Sequence, residues 1–128
     1  MKRFLSCIDS GFIKYVPQPI QHLVIADKAH KLGGKVIFSV GEEEGTLSSQ
    51  AAIRARIQDT STKVDGVIFF ALRQFLYGKR FNFELLEFLL NRDNEVHFAR
   101  ENFSYQDIEA LNRNFPILYA TEYVYKRD

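Results

Sequence analysis

The chain reads as one α/β domain, 1–128, folded as a three-layer sandwich around a largely parallel five-stranded sheet. Three observations lead there. Strand-like and helix-like segments alternate along the whole length. The inner strand-like runs "KVIFSV" and "DGVIFFAL" are apolar throughout, as in strands covered on both faces. The connections between elements are short enough for βα units. The strand order we expect is 2-1-3-4-5.

Each element has its own signal. "RFLSCI" (3–8) is the first strand. "SGFIKYVP" (10–17) turns at Gly11 and then extends, because a residue before proline avoids the helical region. Pro17 or Pro19 suits the first turn of a helix. That helix runs to about Leu32 and ends at Gly33 and Gly34. Residues 35–40 form a strand buried on both faces, and 41–46 a loop. Ser48 or Thr46 is placed to cap the helix that follows. Residues 65–72 form the strongest strand, and 73–80 a loop or irregular turn. "NFELLEFLLNR" (82–92) is a helix with Phe83, Leu86, Leu89 and Leu90 on one face and Leu85 and Phe88 on another. "EVHFAR" (95–100) is a strand. Ser104, with Asp107 three residues on, reads as a capping box for a last helix. Residues 115–125 read as a final strand, and Pro116 puts its start at an edge.

Composition narrows the function classes. Seventeen basic and sixteen acidic residues leave a net charge of +1, which disfavours nucleic acid as a partner. Cys7 is the single cysteine, so neither an internal disulfide nor a cysteine-rich zinc site can form. A reducing cytoplasm is the expected compartment. The broken apolar run at the N-terminus does not read as a signal peptide, and no run reaches the roughly 20 residues of a membrane span. Twelve Phe and six Tyr are many for this length, which suggests a homodimer with aromatic residues at its interface. Dinucleotide, Walker, nucleophile-elbow and zinc-protease motifs are all absent. His22 and His30 lie eight apart, not at helical metal spacing, and His97 sits inside a strand. No metal or cofactor is expected.

In parallel sheets ligands bind at the carboxyl ends of the strands. The residues to watch are therefore in the βα loops. Gln18 and Gln21 flank the entrance of the first helix, where free N–H groups favour an anion. The alternative is simple capping. Asp27 lies on the Ile20/Val24 side of that helix. It either pairs with a nearby Lys or Arg or orients the rim from behind. Glu42, nearest the strand end in "GEEEG", is the acid or base of choice there. Arg73 and Gln74 leave the strongest strand, where an arginine can hold a carboxylate or phosphate. Arg100 and Glu101 repeat the theme, with Glu101 as a second acid or base.

One stretch carries a family resemblance. "VPQPIQHLVIADKA", through Pro17, Gln18, Gln21, Leu23, Val24, Ile25 and Asp27, resembles the P-Q-x-x-Q-x-L-V-I-x-D signature of the sporadic carbohydrate cluster proteins. "VDGVIFFAL" resembles a second segment of that family, at Asp65, Gly66 and Val67. The resemblance implies work in surface-polysaccharide biosynthesis on a sugar, sugar phosphate or nucleotide sugar. It does not name a reaction. The element order is also similar to the catalytic domain of the small serine recombinases, which implies a resolvase-like architecture. Ser6 and Ser10 lie where a nucleophile would be sought. The Tyr-x-Arg-x-Ser and arginine-cluster motifs of those enzymes are missing here, so DNA strand exchange is not implied.

Overall fold

The computed structural model describes residues 1–42, 50–59, 61, 63–77 and 80–113. The order is β1 (Lys2–Ile8), α1 (Gln18–Lys31), β2 (Gly34–Gly41), α2 (Ala51–Gln58), β3 (Gly66–Phe69), β4 (Leu76–Tyr77), β5 (Arg80–Phe81), α3 (Phe83–Leu90), β6 (Glu95–Phe98) and β7 (Phe103–Tyr105). Short 3-10 turns follow β1 at Ser10–Phe12 and β3 at Leu72–Phe75.

Five strands form one sheet, β2-β1-β3-β6-β7, and β4 pairs with β5 in a separate antiparallel hairpin. The first four sheet strands are parallel. The order therefore departs from the one expected. The departure lies in the fifth place: β2, β1, β3 and β6 stand as expected, but the fifth place, expected for 115–125, goes to β7, antiparallel to β6. Ser104, expected as a helix cap, lies in this strand. Asn102 instead adopts φ +59°, and its left-handed turn sends the chain straight back along β6. The expected last helix begins later, at 108, where Asp107 alone caps it by accepting from the Ala110 N–H at 2.8 Å. The expected strand at 115–125 lies outside the described residues, as do Thr46 and Ser48.

Alternation with period two separates two cores. On one face Phe4, Ile8, Ile68 and Phe70 pack under Ile25 and Ala29 of α1. On the other, Leu5, Cys7, Val67, Phe69, Val96 and Phe98 pack under Ile53 of α2 and Leu85, Leu86, Leu89 and Leu90 of α3. Helices thus cover both faces. β3 is buried at every position, as its apolar run requires.

β2 is not. It lies at the sheet edge, Phe38 is 38% exposed, and the register against β1 slips between Phe4 and Leu5. The Arg56 guanidinium lies 3.9 Å over the Phe38 ring, so an α2 side chain, not a buried layer, covers this part of the edge.

The helix ends follow local chemistry. Pro17 precedes α1 and Pro19 sits in its first turn. Gly33, at φ +78°, ends α1 in the left-handed conformation that favours glycine. Gly34 admits no side chain, because a Cβ there would lie 2.5 Å from the Lys2 carbonyl oxygen. Asn82 caps α3 by accepting from the Leu85 N–H at 3.0 Å.

The aromatic residues are mostly internal. Phe69, Phe75, Phe81, Phe98 and Tyr105 form one ring cluster in the α2/α3 core. The Leu-rich face of α3 is buried there too. Neither that ring cluster nor the buried Leu face of α3 is exposed for contact with a second copy. Among the described residues the exposed large apolar side chains include Tyr15, Ile20 and Leu23, in and just before the first turns of α1. Among the described residues no helix is long and apolar enough to cross a membrane.

Candidate functional site

The sheet reverses order at β1. From there the chain goes to β2 on one side and to β3 on the other. The crevice outside the carboxyl ends of such neighbours is the favoured ligand position in open parallel sheets. Here it holds a cavity of about 190 Å³, lined by Asp9, Ser10, Gly11, Glu42, Gln50, Arg73 and Gln74, with Ile8 and Leu76 at its apolar walls.

Asp9, which the sequence offered only as the end of a strand, is the central group. It follows β1 directly and is 5% exposed. Its Oδ2 lies 3.4 Å from a guanidinium nitrogen of Arg73 and has no hydrogen-bond donor among the described residues. Burial pushes the carboxyl above its ordinary range. Arg73, a hydrogen bond from the Gly11 backbone and Arg100 act in the opposite direction. Arg73 also lies 4.3 Å above the Phe12 ring, and Arg100 lies 5.3 Å from the same ring. Two cations thus share one aromatic support at the rim.

Gln21 does not face a ligand. It is fully buried, and its amide is saturated by the main chain. Its Oε1 accepts from the Asp9 N–H at 2.7 Å, and its Nε2 donates to the carbonyls of Asp9 at 3.1 Å and Val16 at 3.0 Å. It is a clamp between α1 and the β1 loop, and it sets the position of Asp9. Gln18 is exposed in the first turn of α1. Asp27 is exposed and bonds Lys31 one turn on at 2.9 Å, so it orients nothing at the rim.

Gln74 lines the cavity but is also committed. Its Nε2 donates to the carbonyls of Cys7 and Ile8 at 3.1 and 3.0 Å, and its Oε1 accepts from the Ala71 N–H at 2.9 Å. It ties the end of β1 to the end of β3. Glu42 is not a free base. Its carboxylate accepts from the Ala52 and Ile53 N–H groups at 3.0 and 2.9 Å, and so caps α2 from the end of β2. Glu101 accepts from the Leu72 N–H at 2.9 Å, which holds the turn that carries Arg73. Burial raises its carboxyl as well.

Of the residues singled out in the sequence, Glu42, Arg73 and Gln74 line the crevice, and Arg100 and Glu101 flank it. The sequence missed Asp9, Phe12 and Gln50. A usable signal existed for Asp9: an acid at the first position after a buried parallel strand, on the central strand of the sheet. Gln50 carried none, because its place depends on a contact to residue 74.

A larger cavity, about 290 Å³, lies toward the amino ends of the strands among Arg56, Asp59, Lys63 and Arg92. Its one acid, Asp59, is already paired with Arg56 at 3.0 Å. The smaller cavity is the better candidate because its buried polar atoms point to a missing partner. Among the described residues no cluster of His, Cys, Asp and Glu is arranged to hold a metal ion. Cys7 is buried, and burial drives its thiol far above the ordinary range, so it is no nucleophile. No protein-family model, curated protein or solved structure matches this chain.

Proposed function

We propose that this chain serves surface-carbohydrate biosynthesis in the cytoplasm by binding the anionic group of a sugar intermediate at the β1/β3 crevice. The pathway rests on the resemblance of 16–29 to the sporadic carbohydrate cluster proteins. The observation that supports the site is the Arg73 guanidinium beside a buried, incompletely bonded Asp9 at the switch point of the sheet. Arg73 takes the phosphate or carboxylate, and Arg100 adds charge at the rim. If a proton moves in a reaction, Asp9 is the group placed to give or take it, since Glu42 and Glu101 are occupied as caps. A cavity of about 190 Å³ is smaller than the roughly 300–1,000 Å³ of drug-sized pockets. A sugar phosphate or sugar acid suits it better than a whole nucleotide sugar.

The test is a thermal-shift screen with sugar phosphates, sugar acids and nucleotide sugars, with duplex DNA as control. A ligand at about 100 times its Kd adds about 2.7 kcal/mol, which moves the midpoint by a few degrees. We expect a shift with a sugar anion that is absent in Arg73→Ala. No shift with any sugar anion, or an equal shift in the variant, removes this reading. A salt-sensitive shift with DNA alone would favour a recombinase-like DNA binder.

A second reading, a non-catalytic homodimeric scaffold, is favoured by the exposed start of α1, where Tyr15 is 69% and Leu23 66% exposed. It predicts a dimer in sedimentation that Leu23→Glu dissociates. A monomer at all concentrations excludes it.

A further inference from the structure

Among the described residues the crevice contains two buried acceptors without a hydrogen-bond donor. One is Oδ2 of Asp9, and the other is Oε1 of Gln50. Gln50 is 3% exposed. Its amide cannot simply be turned over. Nε2 donates to the Gln74 carbonyl at 2.7 Å, so a flip would set oxygen against oxygen. Gln50 is also held at φ +55°, in the left-handed region that a side-chain-bearing residue adopts only under constraint. Asp9 is oriented in the same way. The Gly11 backbone N–H bonds its carboxyl, Gln21 fixes its main chain on both sides, and Oδ2 remains.

A buried acceptor that lacks a donor is costly. A plain anion seated on Arg73 leaves both acceptors as they are, and it adds negative charge beside Asp9. A ligand that brings O–H or N–H donors together with its anionic group satisfies all three. We infer that Asp9 and Gln50 are specificity residues that read the hydroxyl groups of a polyhydroxylated anion, a sugar phosphate or a sugar acid, and discriminate against simple anions. This rests on the binding reading proposed above and adds to it the residues that separate a sugar from a bare phosphate or carboxylate.

Calorimetric titration of the full chain tests it in two arms. Sulfate is compared with a panel of hexose phosphates, and acetate with a panel of uronic acids. Sulfate and acetate carry no donor at neutral pH. We expect at least one sugar anion to bind more than about tenfold tighter than its matched plain anion. In Gln50→Met that ratio should fall by roughly tenfold, the worth of one good hydrogen bond. Asp9→Asn should lower it as well, because it puts a donor where Oδ2 stood. It serves as the second variant, since Gln50→Met also loses the bond to Gln74. The ligand-free thermal midpoint of each confirms that it folds.

Equal binding of sugar anions and plain anions overturns the inference while leaving the anion site intact. So does a sugar preference that survives both substitutions, which would mean that the acceptors bond only water. Binding that Arg73→Ala leaves unchanged removes the underlying reading instead. If no anion of either kind binds, both fall.

Discussion

The two ends of the parallel sheet treat buried polar groups in opposite ways. At the amino end a chain of side-chain bonds is closed among the described residues. Lys2 bonds Glu95 at 2.7 Å, Glu95 bonds His97 at 2.9 Å, and His97 bonds Ser104 at 2.7 Å. The Arg3 N–H donates to Asp65 at 2.7 Å. A carboxylate only accepts, so the neutral His97 ring carries its proton on Nε2 toward Glu95, and the Ser104 hydroxyl donates to Nδ1. Burial disfavours the charge on Glu95, but the bonds from Lys2 and His97 outweigh it and hold the carboxyl below the usual range. At the carboxyl end the chain stops short. Among the described residues Asp9 and Gln50 keep buried acceptors without donors, and Arg73 reaches Asp9 only at 3.4 Å. A fully bonded network is a structural device, whereas an open one in a crevice supports the ligand proposed there.

The largest effect comes from breaking the scaffold behind the open end. Gln21→Ala removes three hydrogen bonds and takes the amide partner from the Asp9 N–H and the Val16 carbonyl, while the Asp9 carbonyl keeps its bond from the Phe12 N–H at 3.0 Å. At about 1 kcal/mol or more for each of those two groups, it should cost roughly 2 kcal/mol or more in urea unfolding. Gln18→Ala, in the exposed first turn of the same helix, should stay within about 0.5 kcal/mol. Equal effects of the two would show that the clamp has no structural weight. Next is Glu42→Ala, which uncaps α2 and should cost about 1–2 kcal/mol. A stability at or above wild type would restore Glu42 as a strained, functional carboxylate.

The closed end has a pH signature. Burial lowers the His97 pKa from its ordinary 6.5, against the pull of Glu95. Below pH 6.5 the unfolded chain takes up a proton that folded His97 refuses. The contribution is therefore complete above that pH and is lost as pH falls toward the folded value. His97→Gln should cost about 1 kcal/mol at pH 7. It should also lose less stability than wild type on acidification from pH 6.5. Parallel pH curves would mean that His97 titrates normally in the fold.

Much of the framework was legible because it is local. Prolines 17 and 19, Gly33 and the apolar run at 66–69 each act within their own segment, and β1, α1, β3 and α3 followed from them. The errors lie where a distant partner decides. The apolar run 35–40 could not reveal that β2 would be an edge strand, since that depends on which strands pair. Ser104 looks like a cap until His97, seven residues earlier, takes its hydroxyl. Glu42 looks like a loop base until the N–H groups of Ala52 and Ile53 arrive from the next helix. The candidate site was legible as a place, the carboxyl ends of the strands, but not as a set of residues. Asp9 meets Arg73 across 64 positions of sequence, and no periodicity marks such a pair.

The smallest expected change in stability is the sharpest test of the contrast between the two ends. In Asp9→Asn the Oδ1 position can keep its bond from the Gly11 N–H, and a neutral amide replaces a buried charge. Removing a partly compensated buried carboxylate should leave stability at pH 7 unchanged or raise it by up to about 1 kcal/mol. The sign with pH follows from the raised pKa. Folded Asp9 holds a proton at pH values where the unfolded chain, at its ordinary 3.8, has released it. The charged form therefore weighs against the fold above the folded pKa, and this penalty is relieved as pH falls through that value. Any advantage of the variant should shrink on acidification, opposite to the trend for His97. A variant that keeps or gains stability yet loses sugar-anion binding would mark Asp9 as retained for a ligand at the expense of the fold. A variant that loses about 2 kcal/mol or more at pH 7 would place Asp9 with the closed network of the amino end, as one more structural ion pair.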